Sequence, residues 1–235
     1  MSWVCVVPVK GSVGAKSRLV ALPETFPARG ELAEAFALDT VAALLAAAMV
    51  ERVLVVTADP AAAAPLAALG AQIVAELPQT SPSDSPNGPD ATPRDPLNAA
   101  INEGIRVAQT HYPLCSVAVL TGDLPALTVE DVEATLAAAA AHDKAMVADE
   151  ECTGTTTLLA RAGTVFTPQF GPGSRAAHEA AGHVPLDLPA TASIRRDVDT
   201  VDDLAEALRR GVGAHTSALI ARSQLGQSHA DLAPR

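Results

Sequence analysis

The chain has 235 residues, the size of one large domain or two small ones, and its 49% of hydrophobic residues is ample for a substantial core. Its formal net charge of −11 argues against a general nucleic-acid binder, which presents a basic face to the phosphate backbone. A small phosphate-bearing molecule stays compatible with this charge, because a few Lys or Arg residues and metal ions can neutralise it locally.

The sequence shows no sign of a membrane span or of a secretion signal. The longest uninterrupted apolar run covers residues 41–50, well short of the roughly 18–20 residues that cross a bilayer. No basic region precedes an apolar stretch at the N-terminus. The cysteines Cys5, Cys115 and Cys152 form no close pair, which fits a reducing compartment better than a disulfide framework. We therefore expect a cytoplasmic protein without membrane contact.

Apolar runs and helical patterns alternate along the chain. Buried strands are predicted at 3–9, 52–57, 72–75, 116–121, 145–148 and 155–160. Helices are predicted at 31–50, 61–69, 97–110, 128–142, 176–181 and 201–210. The alternation predicts an α/β fold with a mostly parallel, mixed sheet and helices on both faces, in which the last third supplies an antiparallel edge.

One segment interrupts the pattern without ending it. Residues 77–96 are crowded with Pro, Ser, Asp and Gly, a composition that predicts a flexible loop. Asp95 is suited to cap the helix that follows, with Pro96 in its first turn. Because the pattern resumes unchanged, we interpret this loop as an insertion in one domain covering 1–210. The tail, 211–235, loses its periodicity and is expected to be poorly ordered.

Ligands of open α/β sheets bind beyond the carboxyl ends of the strands, so the residues after each strand are the site candidates. After the first strand come Lys10, Lys16 and Arg18, in a segment that also holds two glycines and two serines. Cations and hydroxyl groups bind phosphate oxygens, and glycines let the backbone approach them closely. Neither the P-loop spacing nor the dinucleotide-binding spacing of glycines is present. The alternative interpretation is a solvated basic loop.

Three aspartates are candidate metal ligands. Asp123 follows the 116–121 strand at a turn, where a carboxylate can hold Mg²⁺ against a triphosphate. Asp197 and Asp199 alternate along an extended segment and so share one face. Either of them could be the second ligand. The alternatives are a turn-forming Asp and a capped helix entry with solvated charges, in which Thr200 is the cap.

Two further segments carry hydroxyls and glycines. Residues 154–157 place Thr156 in a threonine run that enters a strand, and residues 170–174 place Gly171 and Ser174 at the start of a helix. Free N–H groups at a helix start attract anions. Ordinary β-forming threonines and simple capping by Ser174 are the competing interpretations.

Taken in order, these segments resemble a nucleotidyltransferase of the nucleotide-diphospho-sugar transferase fold, and most closely the guanylyltransferases of coenzyme F-420 biosynthesis. The resemblance covers about 3–210 and rests on the segments 7–10 (VPVK), 15–19 (AKSRL), 97–100 (LNAA), 122–125 (GDLP), 154–157 (GTTT), 170–174 (FGPGS) and 197–200 (DVDT). No single motif is specific, but together they are. The long loop at 77–96 departs from the family pattern just before Asn98.

The resemblance implies transfer of GMP from GTP to a three-carbon phospho-acid, with release of pyrophosphate. It implies Mg²⁺ held by Asp123 and by Asp197 or Asp199. It further implies a triphosphate held by Lys16 and Arg18. Lys10 would lie near the triphosphate, and Asn98 would lie near guanine. Thr156, Gly171 and Ser174 would hold the phosphate and the carboxylate of the acceptor. A deazaflavin transferase would then consume the product.

Several alternatives stay open from the sequence. In the family that the chain resembles, archaeal members are described with 2-phospho-L-lactate and actinobacterial members with phosphoenolpyruvate as the acceptor. The Ala-rich, Lys-poor composition is typical of high-GC actinobacterial chains, so the resemblance favours phosphoenolpyruvate. A molybdenum-cofactor or sugar-phosphate nucleotidyltransferase would open with a glycine-rich loop, where this chain has Pro8, Val9 and Lys10. A non-catalytic nucleotide-binding protein on the same scaffold is the remaining class. The Ala-rich helices offer a face for a homodimer.

Overall fold

The computed structural model describes residues 1–10, 19, 22, 26–76 and 95–230, with side chains described as far as residue 224. Its strands form one seven-stranded sheet in the order β3-β2-β1-β4-β6-β5-β7. The strands are β1 (Trp3–Pro8), β2 (Val50–Thr57), β3 (Gln72–Ala75), β4 (Ser116–Leu120), β5 (Lys144–Ala148), β6 (Thr155–Ala160) and β7 (Val184–Pro185). The predicted α/β class with a mixed, mostly parallel sheet is confirmed.

Helices connect most of these strands, and several begin or end at the residues that the sequence indicated. They are α1 (Arg29–Ala46), α2 (Pro60–Leu69), α3 (Pro96–His111), α4 (Val129–Ala139), α5 (Ser174–Ala180), α6 (Val201–Arg210) and α7 (Ala214–Ala230). The Asp95 carboxylate accepts the Leu97 N–H at 2.9 Å, which confirms the predicted cap of α3. In the described part of the chain, no helix has both the length and the apolar character that crossing a membrane requires.

The antiparallel strand does not lie where the sequence analysis expected it. β6 pairs antiparallel with β4 on one side and with β5 on the other, while the described pairs between other strands are all parallel. The edge is instead β7, which is parallel to β5. The prediction of an antiparallel edge was wrong, because a fully buried strand has the same continuous apolar pattern whichever way it runs.

Both faces of the sheet are covered, so its central strands are apolar on both sides. On β1, Trp3, Cys5 and Val7 face a core shared with α1, α2 and α4, whereas Val4 and Val6 face α3. All three cysteines are free, and burial raises the pKa of the Cys5 thiol to about 12, which keeps it protonated.

The chain order places a crevice between β1 and β4. β2 and then β3 are added to the sheet on one side of β1. The chain then returns through α3, and β4 is added on the other side of β1. The carboxyl ends of β1 and β4 therefore meet at the point where the strand order reverses. A Cβ atom on Gly122, just after β4, would lie only 3.2 Å from the Pro8 carbonyl oxygen, so glycine permits this close approach.

The prediction of a poorly ordered tail from residue 211 is wrong for its described part. Helix α7 packs on α1, and the buried Asp39 carboxylate of α1 accepts the main-chain N–H groups of His215 at 2.8 Å and Thr216 at 2.9 Å. The first turn of α7 is thus capped by a side chain more than 170 positions away. Sequence periodicity carries no signal for such a contact, and α7 itself has a weak apolar pattern.

Replacing Asp39 with Ala should lower the free energy of unfolding by about 2 kcal/mol. The substitution leaves two helix N–H groups without an acceptor in a buried place. Denaturant titration would measure the loss, with Glu34→Ala, on the exposed side of the same helix, as the control. Equal unfolding free energies for the two variants would show that Asp39 does not hold α7.

Candidate functional site

Asp123 stands in the turn after β4, and its main chain is fixed from two sides. The Val198 N–H donates to the Asp123 carbonyl oxygen at 3.0 Å. The next N–H, that of Leu124, donates to the buried Thr40 hydroxyl at 3.1 Å. These contacts tie the turn to helix α1 and to the segment that precedes α6, so the position of Asp123 is set by the folded core.

Three carboxylates converge at this turn. Asp123, Asp197 and Asp199 each offer one oxygen atom, and these atoms all lie within 4.8 Å of one another. The structure therefore brings together all three aspartates predicted as metal ligands, including both alternatives for the second ligand. Like charges this close repel, and a divalent cation removes that repulsion. Carboxylate oxygens are also the ligands that Mg²⁺ prefers, so the donor set fits this ion.

Two residues that flank Asp197, Arg196 and Val198, are anchored in the folded protein. Val198 packs in a core cluster with residues of α1 and α6. Arg196 is buried, with Nη2 3.0 Å from a Glu150 carboxylate oxygen and Nη1 3.6 Å from Glu206. Burial lowers the pKa of the Arg196 guanidinium. Arg196 and Val198 are thus held in the protein interior, while the carboxylates of Asp197 and Asp199 converge with that of Asp123.

Capping of α6 explains the neighbouring acidic residues. The Thr200 hydroxyl accepts the Asp203 N–H at 3.2 Å, and the Asp203 carboxylate accepts the Thr200 N–H at 2.7 Å, so the predicted cap forms a capping box. The same carboxylate accepts the Asp199 N–H at 3.1 Å. Asp203 thus holds the backbone at Asp199 and is separate from the carboxylate cluster.

Thr156 lies between the two aspartate segments. It is 1% exposed, and its hydroxyl donates to the Ile194 carbonyl oxygen at 2.7 Å, just before the Asp197 segment. Its own carbonyl oxygen accepts the Thr121 N–H at 3.0 Å, just before Asp123. The ladder with β5 skips Thr156, which marks a β-bulge at this point. The side-chain proton of Thr156 is therefore used within the protein.

The glycine loop 171–174 lies beside the turn that leads into β6. A Cβ atom on Gly154 would lie 3.8 Å from the Ser174 Oγ, and Ser174 is 3% exposed. The Ser174 N–H donates to the Gly171 carbonyl oxygen at 3.0 Å. The structure thus brings together the two segments, 154–157 and 171–174, that the sequence analysis linked to the acceptor.

The basic residues after β1 are placed only in part. Lys10 is exposed just beyond the carboxyl end of β1, next to the crevice. Lys16 and Arg18 lie outside the described residues. Asn98 belongs to the first turn of α3, where its side-chain amide contacts Phe170 and Asp95.

Sequence comparison identifies relatives over nearly the whole chain, although no family model matches it. A phosphoenolpyruvate guanylyltransferase of Streptomyces scabiei is 48% identical over 222 residues, which cover 94% of this chain and 97% of that protein. The enzyme of the same name from Thermomonospora curvata is 43% identical over 222 residues, with 94% and 90% covered.

The chain belongs to the phosphoenolpyruvate guanylyltransferase family. Its fold is also that of known nucleotidyltransferases. A protein of Desulfovibrio desulfuricans G20 assigned to the nucleotide-diphospho-sugar transferases matches with a TM-score of 0.60 and 18% identity, covering 95% of this chain and 99% of that one. A cytidylyltransferase from Leptospira borgpetersenii matches with a TM-score of 0.54 and 14% identity, covering 97% and 96%. The predicted nucleotide-diphospho-sugar transferase-like fold and the family resemblance are confirmed.

Sequence reasoning missed two residues that shape the candidate site. The Asp149 carboxylate accepts the N–H groups of Thr153 at 2.9 Å and Gly154 at 2.7 Å. The Arg195 guanidinium donates to the Asp149 carbonyl oxygen at 3.0 Å. Together they fold the turn between β5 and β6. The only available signal was Gly154, where any Cβ atom would clash with the Asp149 carboxylate.

Proposed function

We propose that this chain transfers GMP from GTP to phosphoenolpyruvate and releases pyrophosphate, a step of coenzyme F-420 biosynthesis. The observation that carries the proposal is the cluster of Asp123, Asp197 and Asp199 at the crevice between β1 and β4, in a chain 48% identical to a phosphoenolpyruvate guanylyltransferase. Fold alone would not select the reaction, because the same scaffold carries other nucleotidyl transfers.

The proposed step balances without a protein nucleophile. A phosphate oxygen of phosphoenolpyruvate attacks the α-phosphorus of GTP, and the bond from that phosphorus to the bridging β-phosphate oxygen breaks. The attacking oxygen is already ionised at neutral pH, so no general base is needed. What remains for the protein is to hold two anions in line and to offset their charge.

In this proposal the three aspartates hold Mg²⁺. When bound there, the ion would neutralise phosphate charge and stabilise the departing pyrophosphate. Asp123 is fixed by Thr40 and Val198 through its main chain, and Asp199 is fixed by Asp203, so the ligands are held in place before substrates arrive. Preorganised ligands lower the cost of assembling the site.

Substrate roles follow the chain order. Lys10, Lys16 and Arg18, which follow β1 in the sequence, are proposed for the triphosphate. Gly171 and Ser174 are proposed for the acceptor, with Thr156 contributing through its main chain, because its hydroxyl proton goes to Ile194. Asn98 near guanine stays a prediction from the sequence. The proposal also includes that the protein forms a homodimer, that it is cytoplasmic, and that a deazaflavin transferase consumes its product.

Pyrophosphate release with GTP and Mg²⁺ tests the acceptor. We expect release with phosphoenolpyruvate, and weaker release with 2-phospho-L-lactate, which differs by two hydrogens and by the planarity of its central carbon. Such small differences in shape are worth about 1–3 kcal/mol, or roughly 10–200-fold in kcat/KM. Faster release with 2-phospho-L-lactate would show that this compound, and not phosphoenolpyruvate, is the acceptor. Release with neither acceptor, in folded protein that binds GTP, would contradict the proposed reaction.

A further inference from the structure

The side-chain amide of Asn98 pairs with the main chain of Phe170. Its Nδ2 donates to the Phe170 carbonyl oxygen at 2.9 Å, and its Oδ1 accepts the Phe170 N–H at 2.8 Å. The second Nδ2 hydrogen goes to the Asp95 carboxylate at 2.8 Å. Only this orientation matches every donor with an acceptor, and it uses both hydrogens of the amide.

Phe170 is the residue from which the glycine loop 171–174 starts. Gly171 and Gly173 both have positive φ, 133° and 73°, and a Cβ atom on either would meet nothing within 4 Å. These two glycines are therefore not packed against other parts of the protein, and glycine gives the loop unusual backbone freedom. The loop is closed by the hydrogen bond from the Ser174 N–H to the Gly171 carbonyl oxygen, and its place in the protein is set at its two ends.

The preceding residues are held firmly on both sides. Phe170 is 6% exposed, with its ring centroid 5.2 Å from that of His178 in an edge-on contact. The Gln169 N–H donates to His178 Nε2 at 2.9 Å. Asn98 from α3 and His178 from α5 thus fix residues 169–170 between them. Of the two, only Asn98 binds the polar main-chain atoms of Phe170.

We propose that Asn98 is a positioning residue for the acceptor: it fixes Phe170 and thereby sets where Gly171 and Ser174 meet the phospho-acid. This inference rests on the proposed function, which assigns 171–174 to the acceptor. It also changes the role expected from the sequence, because both amide hydrogens of Asn98 are given to Phe170 and Asp95, and only a lone pair of Oδ1 is left for a nucleotide.

Asn98→Asp tests the pairing with almost no change in shape. The new oxygen loses the donor to Phe170 and faces both the Phe170 carbonyl oxygen and the Asp95 carboxylate. We expect the KM for phosphoenolpyruvate to rise about tenfold, and the KM for GTP to change less than about twofold. Asn102→Asp is the matched control, since it makes the same change at an exposed position of α3.

Amide hydrogen exchange gives a readout that does not depend on turnover. Exchange in 169–174 should accelerate in Asn98→Asp and in Asn98→Ala, but not in Asn102→Asp. A raised KM for GTP with an unchanged KM for phosphoenolpyruvate would overturn the proposal, because Asn98 would then act on the nucleotide. Unchanged exchange in 169–174 would overturn it as well. If the wild type showed no turnover with phosphoenolpyruvate, the proposed function would fail, while exchange would still decide whether Asn98 fixes the loop.

Discussion

Replacing Asp123 with Asn is expected to reduce guanylyl transfer by about 10²–10³-fold or more, with the fold retained. Asparagine has nearly the same shape, and the main-chain contacts of Asp123 with Val198 and of Leu124 with Thr40 do not involve the carboxylate. The change removes one negative charge of the three that converge within 4.8 Å. Mg²⁺ should bind more weakly, and raising its concentration should restore part of the activity.

Asp202→Asn is the control for this loss. Asp202 is exposed in the first turn of α6, three positions from Asp199, and belongs to neither the cluster nor the capping box. Its substitution also removes one negative charge from this part of the chain. An effect of net charge alone would therefore appear in both variants. Activity of Asp202→Asn should stay close to that of the wild type. An active Asp123→Asn variant would show that the carboxylate cluster is not the centre of the reaction.

The second large effect concerns acid pH. His178 is fully buried, and burial, aided by the neighbouring His183, lowers its pKa from 6.5 to about 4. Its Nε2 accepts the Gln169 N–H, so it must be unprotonated there, and Nδ1 lies 3.0 Å from the Thr155 hydroxyl. In the unfolded chain His178 takes up a proton below about pH 6.5, whereas in the folded protein it does so only below about pH 4.

The free energy of unfolding should therefore decrease as the pH is lowered from about 6.5 to 4. Between pH 6.5 and 4 the unfolded state binds more protons, so His178 alone should lower the free energy of unfolding by about 2 kcal/mol from pH 7 to 5, and by about 3 kcal/mol at pH 4. Urea titrations at pH 7 and pH 5 would measure this. His178→Gln should be less stable at pH 7 but should lose less between the two pH values.

His111→Gln is the comparison for the histidine effect, because His111 is exposed at the end of α3. That variant should keep the pH dependence of the wild type. If His178→Gln lost as much stability as the wild type between pH 7 and 5, the buried imidazole would not be the cause.

Much of the fold could be predicted from the sequence because its signals are local. The apolar runs of β1, β2 and β4, with helices between them, already indicate a parallel sheet covered on both faces. The direction and place of β6 could not be predicted, since strand pairing joins distant segments. Helix α7 was missed for a similar reason: its first turn is stabilised by Asp39 from α1, and no pattern within 211–235 shows that contact.

The site divides in the same way. The convergence of Asp123, Asp197 and Asp199 was predictable, because the carboxyl ends of strands and an alternating pair of aspartates place carboxylates at one edge. The hydrogen-bond partners of the amide and hydroxyl groups could not be predicted. Asn98 pairs with a main chain 72 positions away, and the Thr156 hydroxyl with one 38 positions away. Such groups bind whatever the fold brings near them, so their partners cannot be inferred from their spacing.

Identification of the product by ³¹P NMR tests the central claim most directly. Wild-type protein would be incubated with GTP, phosphoenolpyruvate and Mg²⁺. We predict the paired doublets of an unsymmetrical diphosphate joining guanosine to enolpyruvate, together with pyrophosphate, and their absence with Asp123→Asn. Unchanged GTP and phosphoenolpyruvate, or GDP and free phosphate in place of the diphosphate, would contradict guanylyl transfer at this site.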